Sequence, residues 1–267
     1  RIPYKTRQNA DRMEQIMKYV VVLGDGMADY PVDSLSGKTP LEVAHKPFTD
    51  TLANLSEVGL VRTIAAGLKP GSDVANLSVL GYDPKECYTG RSPLEASSIG
   101  IPLKDTDVTA RANLVTLSGE GKYEALTMED YSAGEISTEE AKILIGFLKK
   151  ELDTDGNKLY AGISYRHCFV ADRGKIAGDL TPPHDITGKP IKEYLPHSEA
   201  GRAYLSLMKR SYELLKNHPV NAARVKSGKR PANSLWFWGE GTKPALQNFT
   251  ERYGVKGAMI SAVDLLK

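Results

Sequence analysis

Cysteine is scarce in this chain: Cys87 and Cys168 are the only two among 267 residues. They stand far apart and share no metal-ligand or redox spacing, which excludes a disulfide framework and a cysteine-built metal centre. A reducing compartment, the cytoplasm, is therefore the expected location. Long apolar runs are also missing. Nothing approaches the roughly 18 residues that a membrane helix needs. The polar, basic opening from Arg1 to Ile16 lacks the apolar stretch of a secretory signal. Charge of one sign is not in excess either. The formal net charge is +2, which gives no overall pull toward nucleic acid or an anionic membrane. Any anionic ligand must be held by local placement of Arg, Lys and helix ends. No G-x-x-x-x-G-K-[ST] phosphate loop occurs, and no repeat or low-complexity tract is visible.

What is present reads as a globular protein. Apolar residues at 41% and charged residues at 25% are enough to bury a real core, in one large domain or two smaller ones. Met17 opens the first ordered segment, and the residues before it read as an extension. Tyr19 to Leu23 is a continuous apolar run ending at Gly24, the pattern of a strand buried on both faces of a parallel sheet. A helix is expected from Pro47 to Glu57, then a short apolar piece at Leu60 to Ala65. Lys69-Pro70-Gly71 is a turn signal before a helical stretch Ser72 to Leu80, with Gly81 placed to end it.

The middle of the chain has another character. Thr109 to Leu117 is strand-like, and Gly119 to Lys122 predicts a hairpin turn. Ser137 and Glu140 have capping-box spacing ahead of Ala141, Leu144, Ile145, Leu148 and Leu152, which predicts an amphipathic helix. Tyr165 to Ala171 and Lys175 to Gly178 predict a second hairpin, and Glu199 to Asn217 a second long helix. A basic turn, Lys226 to Pro231, closes this section. Ser234 to Trp238, ending in Gly239-Glu240-Gly241, then repeats the strand-and-glycine pattern of Leu23 to Gly26, and Gly257 to Ala262 is similar. Apolar strands near both ends, with hairpins and helices between, predict an α/β core interrupted by an inserted domain.

Two places carry candidate chemistry. Asp25, between Gly24 and Gly26, would sit at the carboxyl end of the first strand, where open α/β sheets bind ligands. A tight turn with Asp25 capping a helix is the alternative. Ser72 follows Gly71 at a predicted helix start, where free amides and the positive end of the helix favour an anion. A plain N-cap is the alternative for this serine.

A series of segments in one order carries a resemblance. They are Gly24 to Asp29, Pro70 to Pro84, Tyr88 to Ala96, Arg111 to Asn113, Tyr165 to His167, His184 to Pro190 and Tyr253 to Ala262. Over nearly everything after Met17 the chain resembles the archaeal-type, cofactor-independent phosphoglycerate mutases of the alkaline phosphatase superfamily. The resemblance implies a mainly parallel, alkaline-phosphatase-like α/β core with an inserted α+β cap domain. The division would be residues 17–106 for the first part of the core, 107–231 for the cap and 232–267 for the second part of the core. It implies a metal-dependent interconversion of 3-phosphoglycerate and 2-phosphoglycerate through a phosphoserine, with a small phosphorylated three-carbon acid as partner, no nucleic acid or membrane, and no bisphosphoglycerate. Asp25 becomes a metal ligand. Ser72 becomes both a metal ligand and the phosphorylated nucleophile, with Asp73 and Asn76 shaping its loop. The family's two divalent ions, Mn2+ or Mg2+, take their other ligands from later Asp and His motifs. Here His45, His167, His184, His197 and His218 stand in no D-x-x-x-H or Asp-His arrangement, so those ligands are expected outside this sequence.

Substrate contacts implied for the cap are Arg111, Arg166 and His167, because a guanidinium grips phosphate or carboxylate through two parallel hydrogen bonds. Arg91 could face the phosphate or pair with Glu95 four residues on. Lys256 could reach the phosphorylated serine, and His184-Asp185 could fix a loop. The segment Asp130 to Glu135 lacks the arginines that archaeal relatives tend to carry there. A homoserine kinase-like phosphotransferase or a phosphomonoesterase of the same superfamily is therefore kept as an alternative, and the missing metal ligands keep a non-catalytic fragment as another.

Overall fold

The computed structural model describes residues 18–24 and 26–260. Two units are distinguished, one up to Val61 and one from Arg62 onward. In the first, helix α1 (Pro40–Val43) begins with a complete capping box: Thr39 Oγ1 accepts from the Glu42 amide at 3.2 Å, and Glu42 Oε2 accepts from the Thr39 amide at 2.7 Å. Helix α2 (Pro47–Asn54), like α1, has proline at its first position, where no amide is needed. The run Tyr19–Leu23, expected as a buried parallel strand, carries no strand structure and is exposed. A continuous apolar run is buried on both faces only when neighbours supply a ladder and a cover, and no strand neighbours it among the described residues. Leu60 to Ala65 is likewise without strand structure. Asp25 and the extension before Met17 lie outside the described residues, as do Ser261 and Ala262. Residues 257–260 form no strand.

The second unit opens with helices α3 (Ser72–Val79), α4 (Pro84–Cys87) and α5 (Arg91–Ser98). Gly81, with φ +81°, ends α3 as the sequence requires. Its amide donates to Ser78 O at 3.0 Å, and the Tyr82 amide reaches Leu77 O at 3.0 Å.

A five-stranded sheet follows, built from β1 (Asp107–Ser118), β2 (Thr127–Asp130), β3 (Asn157–Tyr160), β4 (Arg166–Asp172) and β5 (Ser234–Thr242). Strand β1 pairs with both β4 and β5, β3 pairs with β4, and the last residues of β1 pair with β2. Every pairing is antiparallel. The architecture described is thus mixed α/β with an antiparallel sheet, and the expected parallel sheet is not found among the described residues. Two details of the reading change. The hairpin partner of β4 is β3, not Lys175 to Gly178. Ser234–Thr242, expected in the second part of the core, is hydrogen-bonded along β1.

Helix α6 (Thr138–Leu152) begins at Ser137, whose hydroxyl accepts from the Glu140 amide at 3.2 Å. Ala141, Leu144, Ile145, Leu148 and Leu152 are all buried, as their spacing predicts. Helices α7 (Gly201–Leu215) and α8 (Pro219–Lys226) complete the unit's main body, and α9 (Phe249–Tyr253) follows β5.

The sheet has two distinct faces, because residues directly opposite one another point the same way. Ala112 lies opposite Phe237, and Phe237 meets Tyr204 of α7 with ring centroids 5.4 Å apart, so this face packs into the main core. Arg111 lies opposite both Cys168 and Trp238 and faces α5. Between Thr109 and Arg111 the β1–β5 register slips by one residue, and Gly239, at φ +61°, absorbs the extra residue as a bulge. The bulge sends Trp238 toward α5. It also turns Glu240 outward to accept from the amides of Ala177 and Gly178 at 2.8 and 2.6 Å. Helix α5 reaches β5 closely because glycines meet there. A Cβ on Gly90 would lie 2.0 Å from Glu240 O, and one on Gly241 would lie 2.6 Å from Thr89 O.

Candidate active site

Helix α3 has Gly71, in extended conformation, as its N-cap, and Ser72 is its first helical residue rather than the cap. The serine therefore stands in the positively polarised first turn. Asn76 Nδ2 donates to Ser72 O at 2.7 Å. Asp73 is buried, with Oδ1 accepting from the Val74 amide at 3.0 Å and Oδ2 accepting from the Tyr88 hydroxyl. Burial, then the Asp73 hydrogen bond, push the Tyr88 phenol up, so it remains a protonated donor. Tyr88 also feels the charges of Arg91 and Glu95. It is thus the link between helix α3 and the next group.

That group is a cavity of about 280 Å³ on the α5 side of the sheet, at the small end of ligand sites. Arg91 from α5, Arg111 from β1 and Arg166 from β4 all line it. A single oxygen, Glu95 Oε1, accepts from Arg91 Nε at 2.9 Å and forms an ion pair with Arg111 Nη1 at 3.0 Å. Arg91 therefore both pairs with Glu95 and lines the cavity. Arg111 is 4% exposed, and its Nε has no hydrogen-bond partner. Burial pulls its guanidinium down to about 10, with the Glu95 charge opposing the shift, so it stays protonated at neutral pH. The Trp238 ring sits under both guanidinia, with Cζ of Arg111 4.6 Å and Cζ of Arg91 5.7 Å from its centroid.

The remaining wall is aromatic and polar. Tyr131 and Tyr165 meet edge to face at 5.7 Å, Tyr131 and His184 at 6.1 Å, and His184 and Trp238 at 5.1 Å. Trp238 Nε1 donates to Asn113 Oδ1 at 3.0 Å, while Asn113 Nδ2 donates to Tyr131 O at 3.1 Å. Arg166 stacks on Tyr165 at 4.1 Å. Three cations with flat apolar backing and no carboxylate in the lining suit a small anion.

Two expected contacts lie elsewhere. His167 is fully enclosed and does not line the cavity; its Nδ1 accepts from the Gly162 amide at 3.1 Å, and burial takes it down to about 3. It is therefore neutral. Lys256 is exposed on the stretch after α9 and does not line the cavity either. Sequence reading missed Trp238, Tyr131 and Asn113 and gave His184 only a loop role. The one usable signal was Trp238 directly before Gly239, an aromatic beside a bulge-forming glycine. Among the described residues no group of three or more His, Cys, Asp or Glu is arranged to hold a metal ion.

A family model described as 2,3-bisphosphoglycerate-independent phosphoglycerate mutase matches residues 53–221. A Methanosarcina barkeri protein with that name is 52% identical over 252 residues, which is 94% of this chain and 62% of the relative. A Geobacter sulfurreducens protein named as a probable enzyme of the same kind is 49% identical over 251 residues, with the same coverage. A solved Pyrococcus horikoshii structure matches with a TM-score of 0.66 at 32% identity, over 90% of this chain and 56% of that one. The chain belongs to the 2,3-bisphosphoglycerate-independent phosphoglycerate mutase family. It spans 62% of the length of these curated relatives. No helix among the described residues is long and apolar enough to cross a membrane.

Proposed function

We propose that this chain carries the nucleophile and the acid-binding pocket of a phosphoglycerate mutase that interconverts 3-phosphoglycerate and 2-phosphoglycerate without a bisphosphoglycerate primer. The supporting observation is the convergence of Arg91, Arg111 and Arg166 on one small cavity, two of them tied to a single carboxylate oxygen. Family membership supports the reaction class.

In this reading Ser72 Oγ gives up its proton and attacks the phosphorus of 3-phosphoglycerate. The bond from phosphorus to the C3 oxygen breaks, and that oxygen leaves with a proton as the glycerate hydroxyl. Phosphoserine and glycerate result. The pocket arginines hold the acid while it turns, its C2 hydroxyl attacks the phosphoserine, and Ser72 is regenerated. The first turn of α3 favours negative charge at that serine. The antiparallel unit from residue 107 to 242 acts as the cap, and excluding water under it separates mutase from phosphatase behaviour. The described residues do not by themselves form a metal site, so no step is assigned to a cation. Asp25 and Ser72 are the two ligands this chain would contribute to a larger one. Scarce, buried cysteine supports a cytoplasmic setting.

The test is Ser72→Ala in the whole protein. Incubation with 3-phosphoglycerate should add one phosphoryl group to the wild type by intact mass, and the variant should show neither that adduct nor turnover. Normal turnover by the variant overturns the proposal. Phosphorylation of homoserine from ATP, without mutase turnover, would move the reading to a kinase-like transferase.

A further inference from the structure

The segment after β2 is held in an unusual conformation. Ala133, Gly134 and Glu135 are consecutive residues with φ of 52°, 66° and 52°, and Ala133 is fully buried. Non-glycine residues resist the left-handed region, so such a run persists only where its surroundings fix it. Here two arginines do so. Arg224 of α8 is 3% exposed and spends its fork on this region. Nη2 donates to Ala133 O at 2.6 Å, Nη1 to Glu140 Oε2 at 2.6 Å, and Nε to Arg230 O at 2.8 Å. Arg230 Nη1 in turn donates to Asp130 Oδ2, and Asp130 accepts from the amides of Ser132 and Gly134 at 2.7 and 3.2 Å. Tyr131 lies between these two fastenings and forms part of the pocket wall, with its carbonyl tied through Asn113 to Trp238.

We propose that Arg224, assisted by Arg230, is a positioning residue for the acid-binding pocket: it pins the left-handed turn Ala133–Glu135 and so keeps Tyr131 in the pocket wall. The basic stretch from Lys226 to Pro231 then acquires a role, since it delivers Arg230 to Asp130 and its backbone to Arg224. Neither arginine lines the cavity, so each acts only through the turn. The inference rests on reading the cavity as the acid site.

Calorimetric titration of this chain with 3-phosphoglycerate tests it, using wild type, Arg224→Gln, Ala133→Gly, the double variant Arg224→Gln/Ala133→Gly, and Arg230→Gln. Arg224→Gln should weaken binding roughly tenfold, the order of a lost supporting contact. Adding Ala133→Gly should restore most of the affinity, because glycine occupies the left-handed region without being forced there. Ala133→Gly alone should leave affinity unchanged. A general folding defect would not be repaired in this way. Folded Arg224→Gln that binds like wild type, or a double variant with no recovery, overturns the proposal. Should Arg224→Gln fail to fold, the half-exposed Arg230→Gln decides through amide hydrogen exchange. Faster exchange confined to Gly134 and Glu135, with weaker binding, supports the clamp, and unchanged exchange and binding overturn it. A wild type that binds no 3-phosphoglycerate sinks the acid-site reading instead, and the exchange result at the turn still judges the clamp.

Discussion

The indole of Trp238 lies against the guanidinium of Arg111, with Cζ 4.6 Å from the ring centroid. A flat cation on a flat ring keeps its edge free for an incoming acid, which lysine cannot imitate. Arg111→Lys should therefore weaken 3-phosphoglycerate binding by roughly tenfold while keeping the charge. Titration calorimetry checks this, and affinity within twofold of wild type would show that charge alone matters.

Asp73 and Tyr88 join α3 to the turn before α5. Tyr88→Phe leaves the buried Asp73 carboxylate one donor short, which should cost about 1–3 kcal/mol of stability. Urea unfolding measures it. A neutral result would mean that water replaces the hydroxyl.

His167 makes the protein acid-sensitive. Its ordinary value is 6.5 and its folded value about 3, so the unfolded chain takes up the proton first. The contribution is complete above pH 6.5 and is lost as pH falls from there toward 3. Between pH 7 and pH 5 this amounts to about 2 kcal/mol. His167→Asn, which removes the titration, should flatten that part of the stability profile. An unchanged slope from pH 7 to 5 would assign it to other groups.

The close approach of α5 to β5 depends on Gly90, at φ +147° with Glu240 O where a Cβ would stand. Gly90→Ala should destabilise the protein by about 3 kcal/mol, from a forbidden backbone and a clash together. It should also loosen the pocket, since Arg91 is the next residue. Denaturant midpoints and 3-phosphoglycerate titration report the two effects separately.

Helices were the most legible elements, because their signals are local. Ser137 and Glu140 set the start of α6, five buried residues followed at helical spacing, and Gly81 ended α3. Pairing partners were not local. Lys175 to Gly178 looked like the mate of β4, yet the short polar strand Asn157–Tyr160 takes that place. The run Tyr19–Leu23 has strand composition but no neighbour among the described residues to pair with. Within the cavity, the arginines were reached through the family resemblance, since each stands in a short, distinctive motif. The backing they share was not. Trp238 reaches them only through a one-residue slip at Gly239, and Tyr131 only through a left-handed turn held from α8. Both depend on residues about a hundred positions away.

The carboxylate shared by Arg91 and Arg111 has a consequence for how an anion would be held. A cluster of bare cations would seize any acid and let it go slowly. Glu95 acts as a built-in counter-ion, so an arriving acid trades places with part of an existing interaction instead of filling an empty one. Under the proposed function, such an exchange lets the held molecule reorient without leaving, as return of the phosphoryl group to a different oxygen would require.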